Sequence, residues 1–273
     1  MADKFTGNVV WITGGGSGLG KAMALEFARE GALVVVSGRR EENLNQVVSL
    51  IADRGFSAAS LVCDVTDEEA ITRTVSEIDQ TYGRLDVAVA NAGFAVGGAI
   101  EKLRAEDWRR QLDTNVIGLA MTAKHALPQL KKQRGRLALV SSVAGMMASP
   151  KSGAYSASKY AVRAIGQTLA MELAGTGTTC TTLYPGFVES EIAQVDNQGV
   201  FHPERPDKRP RKLMWPADKA AKVMVNAIYR RRRHYVFTGH GKLAGWLGRH
   251  CPAILHTLFS RSRRIEKGGL LER

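Results

Sequence analysis

The chain has 273 residues, 44% of them hydrophobic and 23% charged, with 28 glycines and a formal net charge of +12. That size and balance suit one large α/β domain and exclude a disordered or collagen-like chain. Cys63, Cys180 and Cys251 lie far apart without CxxC spacing, which excludes a disulfide framework and a structural zinc site, and no run approaches the ~18 apolar residues of a membrane span.

Met1 to Phe5 lead directly into an apolar run, so no signal peptide and a reducing, cytoplasmic compartment are expected. Short β-rich runs follow at 8–12, 32–37, 58–63, 85–90, 136–141 and 178–184. Between them, 19–30, 41–54, 67–82, 104–131 and 155–173 carry apolar stripes at helical spacing. Strand–helix alternation of this length predicts a doubly wound, Rossmann-like parallel sheet with helices on both faces. Val34-Val35-Val36 lacks polar alternation, as a strand covered on both faces should. After Pro185-Gly186 the pattern loosens. Residues 190–215, with Pro203, Pro206, Pro210 and many charges, read as a long mobile loop. A helix from Pro216 to Tyr229 and a strand at 235–237 then close the sheet. The expected organisation is one domain over 1–240 and a basic amphipathic extension over 241–273.

The first strand runs into a helix through Thr13-Gly14-Gly15-Gly16-Ser17-Gly18-Leu19-Gly20. Glycines there let a phosphate approach the positive helix N-terminus. The six-residue GxGxxG fingerprint is absent, and the spacing that fits is Gly14-xxx-Gly18-x-Gly20. The bland alternative is a tight connection requiring positive φ. The second strand ends in Ser37-Gly38-Arg39-Arg40, with no carboxylate to bind ribose hydroxyls. Two guanidiniums suit a 2′-phosphate, hence NADP(H) over NAD(H). Alternatively they are a solvated pair balancing Glu41 and Glu42.

Tyr155 and Lys159 lie four apart on one predicted helix and share a face. A nearby ammonium favours the phenolate, so the expectation is a phenol pKa shifted down towards neutrality. Ser141-Ser142 end the fifth strand at the edge where such sheets hold ligands, and a hydroxyl there can donate to a substrate carbonyl. Asn115 sits inside a helical stretch where Asn is unfavourable, either bordering the same cleft or serving as a buried structural amide.

With TGGGSGLG at 13–20, CDV at 63–65, NAG at 91–93, Asn115, SS at 141–142, YSASK at 155–159 and PGFVES at 185–190, the sequence resembles the short-chain dehydrogenase/reductase family over about residues 5–237. The resemblance implies that Gly14, Ser17, Gly18, Leu19 and Gly20 cradle a pyrophosphate. Asp64 and Val65 would meet the adenine, and Asn91, Ala92 and Gly93 the adenosine ribose. Tyr155 would be the acid/base, Ser142 the carbonyl-orienting hydroxyl and Lys159 both pKa modifier and ribose ligand. Asn115 would continue a proton relay through water, and Pro185, Gly186 and Val188 would line the nicotinamide. Ala90 departs from the family's NNAG, and Ser190 replaces its usual Thr. The implied activity is hydride transfer between NADP(H) and a ketone or secondary alcohol, in a homodimer or homotetramer.

An apolar lining of Val143, Ala144, Met146, Met147, Phe94, Val96, Phe187 and Ile192 favours a lipophilic substrate, although Met146-Met147 can equally be core. The charge is uneven. Residues 1–199 carry 20 Lys+Arg against 21 Asp+Glu, and residues 200–273 carry 18 against 5. Within 242–264, Leu243, Trp246, Leu247, Cys251, Ile254, Leu255, Leu258 and Phe259 recur at helical steps among Lys242, Arg249, Arg261, Arg263 and Arg264, with Pro252 splitting the stretch. Such a segment either packs on its own domain or a second subunit, or touches a membrane peripherally. No nucleic-acid motif accompanies it. The six histidines offer no ligand set, so no metal is expected. Two other functions stay in view: an idle NADP(H)-binding regulator and a lipid-surface protein.

Overall fold

The computed structural model describes residues 3–268. Seven strands, β1 (Val9–Thr13), β2 (Leu33–Gly38), β3 (Ala58–Val62), β4 (Val87–Ala90), β5 (Arg136–Val140), β6 (Thr179–Tyr184) and β7 (His234–Val236), form one sheet in the order β3-β2-β1-β4-β5-β6-β7. Every pairing is parallel. The chain winds outward from β1 to β3 and then returns to β4 on the other side of β1. The β1/β4 border is therefore the switch point where open α/β sheets bind ligands.

Alternation along each strand splits the core between two faces. Val10, Ile12, Val34 and Val36 meet Met23 and Phe27 of α1 (Gly18–Arg29), Leu44 and Val47 of α2 (Glu41–Ala52) and Met224 and Ile228 of α7 (Ala217–Tyr229). Val9, Trp11, Val35 and Ala88 meet Ile71 and Ile78 of α3 (Glu68–Tyr82), Ala123 and Leu130 of α5 (Leu119–Lys132) and Val162 of α6 (Gly153–Glu172). The Trp11 indole N–H, which would be costly to bury alone, donates to Ser37 Oγ (2.9 Å).

One expectation changes. The stripe over 104–131 is not one regular helix. It divides into α4 (Ala105–Leu112), a π-helical stretch over Asp113–Gly118, and α5. Widened turns of this kind redirect side chains and recur at functional sites. Here the stretch holds Asn115 fully buried. Residues 190–215 form a loop with single turns at Glu191–Gln194 and Arg211–Leu213 and bridges pairing Val188 with Trp215 and Val195 with Phe201. Pro252 does divide the C-terminal stretch, into α8 (Gly239–His250) and α9 (Pro252–Gly268). The side chains from 261 onward, including Arg261, Arg263 and Arg264, and the chain from 269 lie outside the described residues. Among the described residues, no helix is long and apolar enough to cross a membrane.

Candidate active site

Because every strand runs the same way, the segments following them share one edge of the sheet. That brings together the glycine turn after β1, Arg39 and Arg40 after β2, Asp64 and Val65 after β3, and Asn91 to Gly93 after β4. Ser142 after β5 and Pro185 to Val188 after β6 complete the row.

The glycine turn is built by close approach. Gly14 has φ +64° and Gly18 φ +50°, conformations costly for other residues. A Cβ on Gly14 would stand 2.8 Å from Ala92 Cα, and one on Gly20 would overlap the Gly14 carbonyl. Thr13 is the hub. Its Oγ1 accepts the Asn91 and Ala92 N–H groups (3.1 Å each), while Asn91 Nδ2 donates to the carbonyls of Thr13 (3.0 Å) and Gly14 (3.2 Å). Asn91 thus locks the ends of β1 and β4 together at the switch point. Asp64 Oδ1 accepts from Thr66 N and Oγ1 (2.9 Å each), fixing the turn after β3. Val65 is buried against Gly118, where a Cβ would meet the Val65 carbonyl at 2.7 Å.

The two arginines face the groove, and among the described ion pairs neither is matched with Glu41 or Glu42. Arg40 Nη2 donates to Ser17 Oγ and Glu191 Oε2 (3.0 Å each), and its guanidinium lies 5.6 Å from the Phe201 ring centre. Arg39 Nη2 donates to the Gly199 carbonyl (3.2 Å). Both therefore bridge the turn after β2 and the loop over it.

At the other end, α6 carries Tyr155 and Lys159 back under β5. Lys159 is buried, with Nζ donating to the Val140 carbonyl (2.9 Å) and lying 5.7 Å from the Tyr155 ring centre. Burial pushes its pKa down to about 8. Ser141 Oγ, also buried, donates to the Lys159 carbonyl (2.9 Å) and ties α6 to the strand end. Ser142 Oγ accepts Ala144 N–H (3.1 Å) and donates to the Pro185 carbonyl (3.4 Å). The expected lowering of the Tyr155 phenol is not found. Burial raises it, opposed by the neighbouring Ser142 hydroxyl and by the charge of Arg209. The desolvation of an anionic phenolate outweighs the charges around it.

The Asn115 side chain is engaged by its neighbours. Its Oδ1 accepts Phe94 N–H (3.1 Å), and Nδ2 donates to the Phe94 carbonyl (3.0 Å) and Ser158 Oγ (3.2 Å). This holds the segment after Gly93 against α6. A Cβ on Gly93 would approach Asn115 Oδ1 at 2.9 Å and Lys159 Nζ at 3.7 Å, so Gly93 is the point where these groups meet.

Two neighbours were invisible in the sequence. Arg209 Nη1 donates to the Val188 carbonyl (2.9 Å) and Ser190 Oγ (3.3 Å), and Nη2 to the Ser190 carbonyl and Asp207 Oδ2 (2.8 Å each). His240, from the start of α8, accepts the Phe187 N–H through Nε2 (3.1 Å) and stacks on the Phe187 ring. A Cβ on Gly186 would overlap His240 Nε2 and Thr238 Oγ1. Met146, open between cleft and core, lies with its sulfur where Gly245 of α8 leaves room, 2.8 Å from a Cβ built there.

A parallel sheet with a glycine turn at its switch point, and a phenol and an ammonium at the same edge, is the architecture of a nucleotide-dependent oxidoreductase. The model of the short chain dehydrogenase family matches residues 8–200. The chain is 35% identical to a 3beta-hydroxysteroid dehydrogenase of Mediterraneibacter gnavus over 70% of each protein. It is also 35% identical to a 3-oxoacyl-acyl-carrier-protein reductase of Thermotoga maritima, over 70% of this chain and 78% of that one. A crystal structure of a short-chain dehydrogenase/reductase from Burkholderia phymatum in complex with NAD superposes with a TM-score of 0.78 at 28% identity, covering 97% of this chain and 96% of that one. The chain belongs to the short-chain dehydrogenase/reductase family, whose members are oxidoreductases using a nicotinamide dinucleotide.

Proposed function

We propose that the protein is an NADP(H)-dependent oxidoreductase that interconverts a lipophilic ketone and its secondary alcohol. The observation carrying this reading is the convergence of Tyr155, Lys159 and Ser142 beside the Pro185–Val188 segment. An idle regulator would not need that set.

The edge fits a dinucleotide, because the collisions that side chains at Gly14 and Gly20 would cause mark a cradle built for close backbone approach to a phosphate. Gly14, Ser17, Gly18, Leu19 and Gly20 would hold the pyrophosphate, Asp64 and Val65 the adenine, and Asn91, Ala92 and Gly93 the adenosine ribose. Tyr155 and Lys159 would hold the nicotinamide ribose, and Pro185, Gly186 and Val188 the nicotinamide. Arg39 and Arg40 would take a 2′-phosphate, where an NAD-selective site would carry a carboxylate. The dinucleotide's share is the hydride. Tyr155, a phenol that desolvation raises above its ordinary range, is protonated at neutral pH and set to donate to the carbonyl oxygen in the reductive direction. Ser142 orients that oxygen. Lys159 carries positive charge below about pH 8, where it favours the phenolate left behind. Asn115 acts through Phe94, keeping Gly93 against the lysine.

Lipophilicity is supported by Phe94, Val96 and Ala154, which pack with Leu103, Trp108 and Val195 into an apolar cluster of their own. It is also supported by relatives named for a hydroxysteroid and a 3-oxoacyl group. NADPH and NADH consumption against ketones of graded hydrophobicity tests the proposal. Rates rising with hydrophobicity and favouring NADPH are expected, and activity confined to small polar carbonyls or driven better by NADH contradicts it.

A further inference from the structure

The face that α8 turns inward is made of glycine. Gly241, Gly245 and Gly248 follow one another at helical steps. A Cβ on Gly241 would overlap Thr238 Oγ1 and stand 2.9 Å from Val143 Cγ2. One on Gly248 would overlap the Met146 carbonyl and meet Met147 Cβ at 2.7 Å. The helix axis therefore lies directly on the segment that follows Ser142. Two of its three bulky apolar residues point the other way, while Leu247 is half-buried. Leu243 is 62% exposed and Trp246 54%, and α9 continues the patch with Ile254 at 49% and Leu258 at 56%. An amphipathic helix normally buries its large apolar side chains and exposes its small ones; here the order is reversed.

The charge around this patch selects what covers it. Between Asp218 and Glu266 the chain has no carboxylate at all and eleven Lys and Arg residues. Arg231 is used internally, donating to the carbonyls of Arg134, Gly135 and Gly177. Lys242 and Arg249, on the same helix as the patch, are exposed. A second copy docking through α8 of both chains would set Lys242 and Arg249 against their own counterparts, and α8 carries no carboxylate to match them. A surface both apolar and uniformly negative complements it on both counts.

We infer that α8 and the described part of α9 form a docking surface for an anionic phospholipid bilayer, with Leu243, Trp246, Ile254 and Leu258 entering the interface and the basic residues meeting the headgroups. The surface lies on the outer side of Met146-Met147, so the bilayer would adjoin the wall of the substrate cleft. That it delivers the substrate rests on the lipophilic reading above; the binding itself does not.

Flotation of the full chain with vesicles of phosphatidylcholine alone, or with about a third phosphatidylglycerol, tests this without any activity measurement. Binding to the anionic vesicles is expected, weakening about fivefold for each cation removed among Lys242 and Arg249. Removal of bulky apolar contacts in L243S/W246S should weaken it at least about tenfold. Because both side chains are exposed, the variant should keep its circular dichroism and melting temperature. If it does not, Trp246→Phe is the second probe: wild-type tryptophan emission shifts to the blue on adding anionic vesicles, and the variant loses that shift. Equal binding by wild type and L243S/W246S, no binding to anionic vesicles, or a patch instead occupied by a second copy or an acidic protein would each overturn the inference.

Discussion

The sheet edge and the loop that covers it are held by different forces. Up to Val188, apolar burial on both faces of the sheet fixes the strands, and the polar groups at the site are tied to main chain: Thr13 and Asn91 across β1 and β4, Asn115 to Phe94, Lys159 to Val140. From Glu189 to Lys219 no residue is buried. That stretch is held by the main-chain bridges of Val188 with Trp215 and Val195 with Phe201 and by guanidinium and imidazole contacts: Arg209 on Val188 and Ser190, Arg40 on Glu191, and His202 on Asp196 (2.9 Å). Buried side chain to main chain hydrogen bonds are costly to break, whereas exposed ion pairs are worth little and are screened by salt. A rigid floor under an adjustable cover suits a site that must fix one reactant and admit another.

The contrast is broken most severely at the floor. Gly20→Ala would drive a Cβ into the Gly14 carbonyl, costing about 1–3 kcal/mol of stability. Thermal melts should show that loss, and NADPH titration should show binding weakened at least about tenfold. Unchanged binding would mean that the cradle is not the phosphate site. Next in size is the corner after β2, where floor and cover meet. Replacing Arg39 and Arg40 together by Ala should lower the NADPH-to-NADH ratio of kcat/KM by about ten- to hundredfold. An unchanged ratio would leave them as mere struts to Glu191 and Gly199.

The smallest effect separates the two regions by pH. Burial holds His240 below its ordinary 6.5, while the Asp196 hydrogen bond raises His202 above it. The unfolded chain takes up a proton below 6.5 that His240 resists, so the stability contributed there is full above 6.5 and is lost as pH falls through the folded value. His202 has the opposite sign: its contribution is full below 6.5 and lost as pH rises through the folded value. Imidazole titration by NMR should place the two midpoints on opposite sides of 6.5.

The strands were legible because residues covered on both faces leave unbroken apolar runs, as in Val34-Val35-Val36, and because helices at 41–52 and 68–82 carry a full apolar stripe. The row of loop residues along the sheet edge followed from parallel strands alone, whereas Tyr155 and Lys159 reach it on α6. What the sequence hid are contacts with no period. His240 meets Phe187 across 53 positions and Arg40 meets Glu191 across 151, and nothing local announces either. The π-helical turn at Asn115 was masked by a stripe that continues through it. The rise in the Tyr155 pKa escaped because spacing shows the partner charge but not the depth of burial. In α8 the bulky residues drew the attention, whereas Gly241, Gly245 and Gly248 are the ones that pack on the segment after Ser142.

The most direct test of the account is steady-state reduction of a responsive lipophilic ketone by Tyr155→Phe, with NADPH binding measured in parallel. Loss of the proton donor should lower kcat by about a hundred- to ten-thousandfold while the NADPH dissociation constant changes less than about threefold. A variant that retains its turnover would show that the proton comes from elsewhere and contradict the site as assigned.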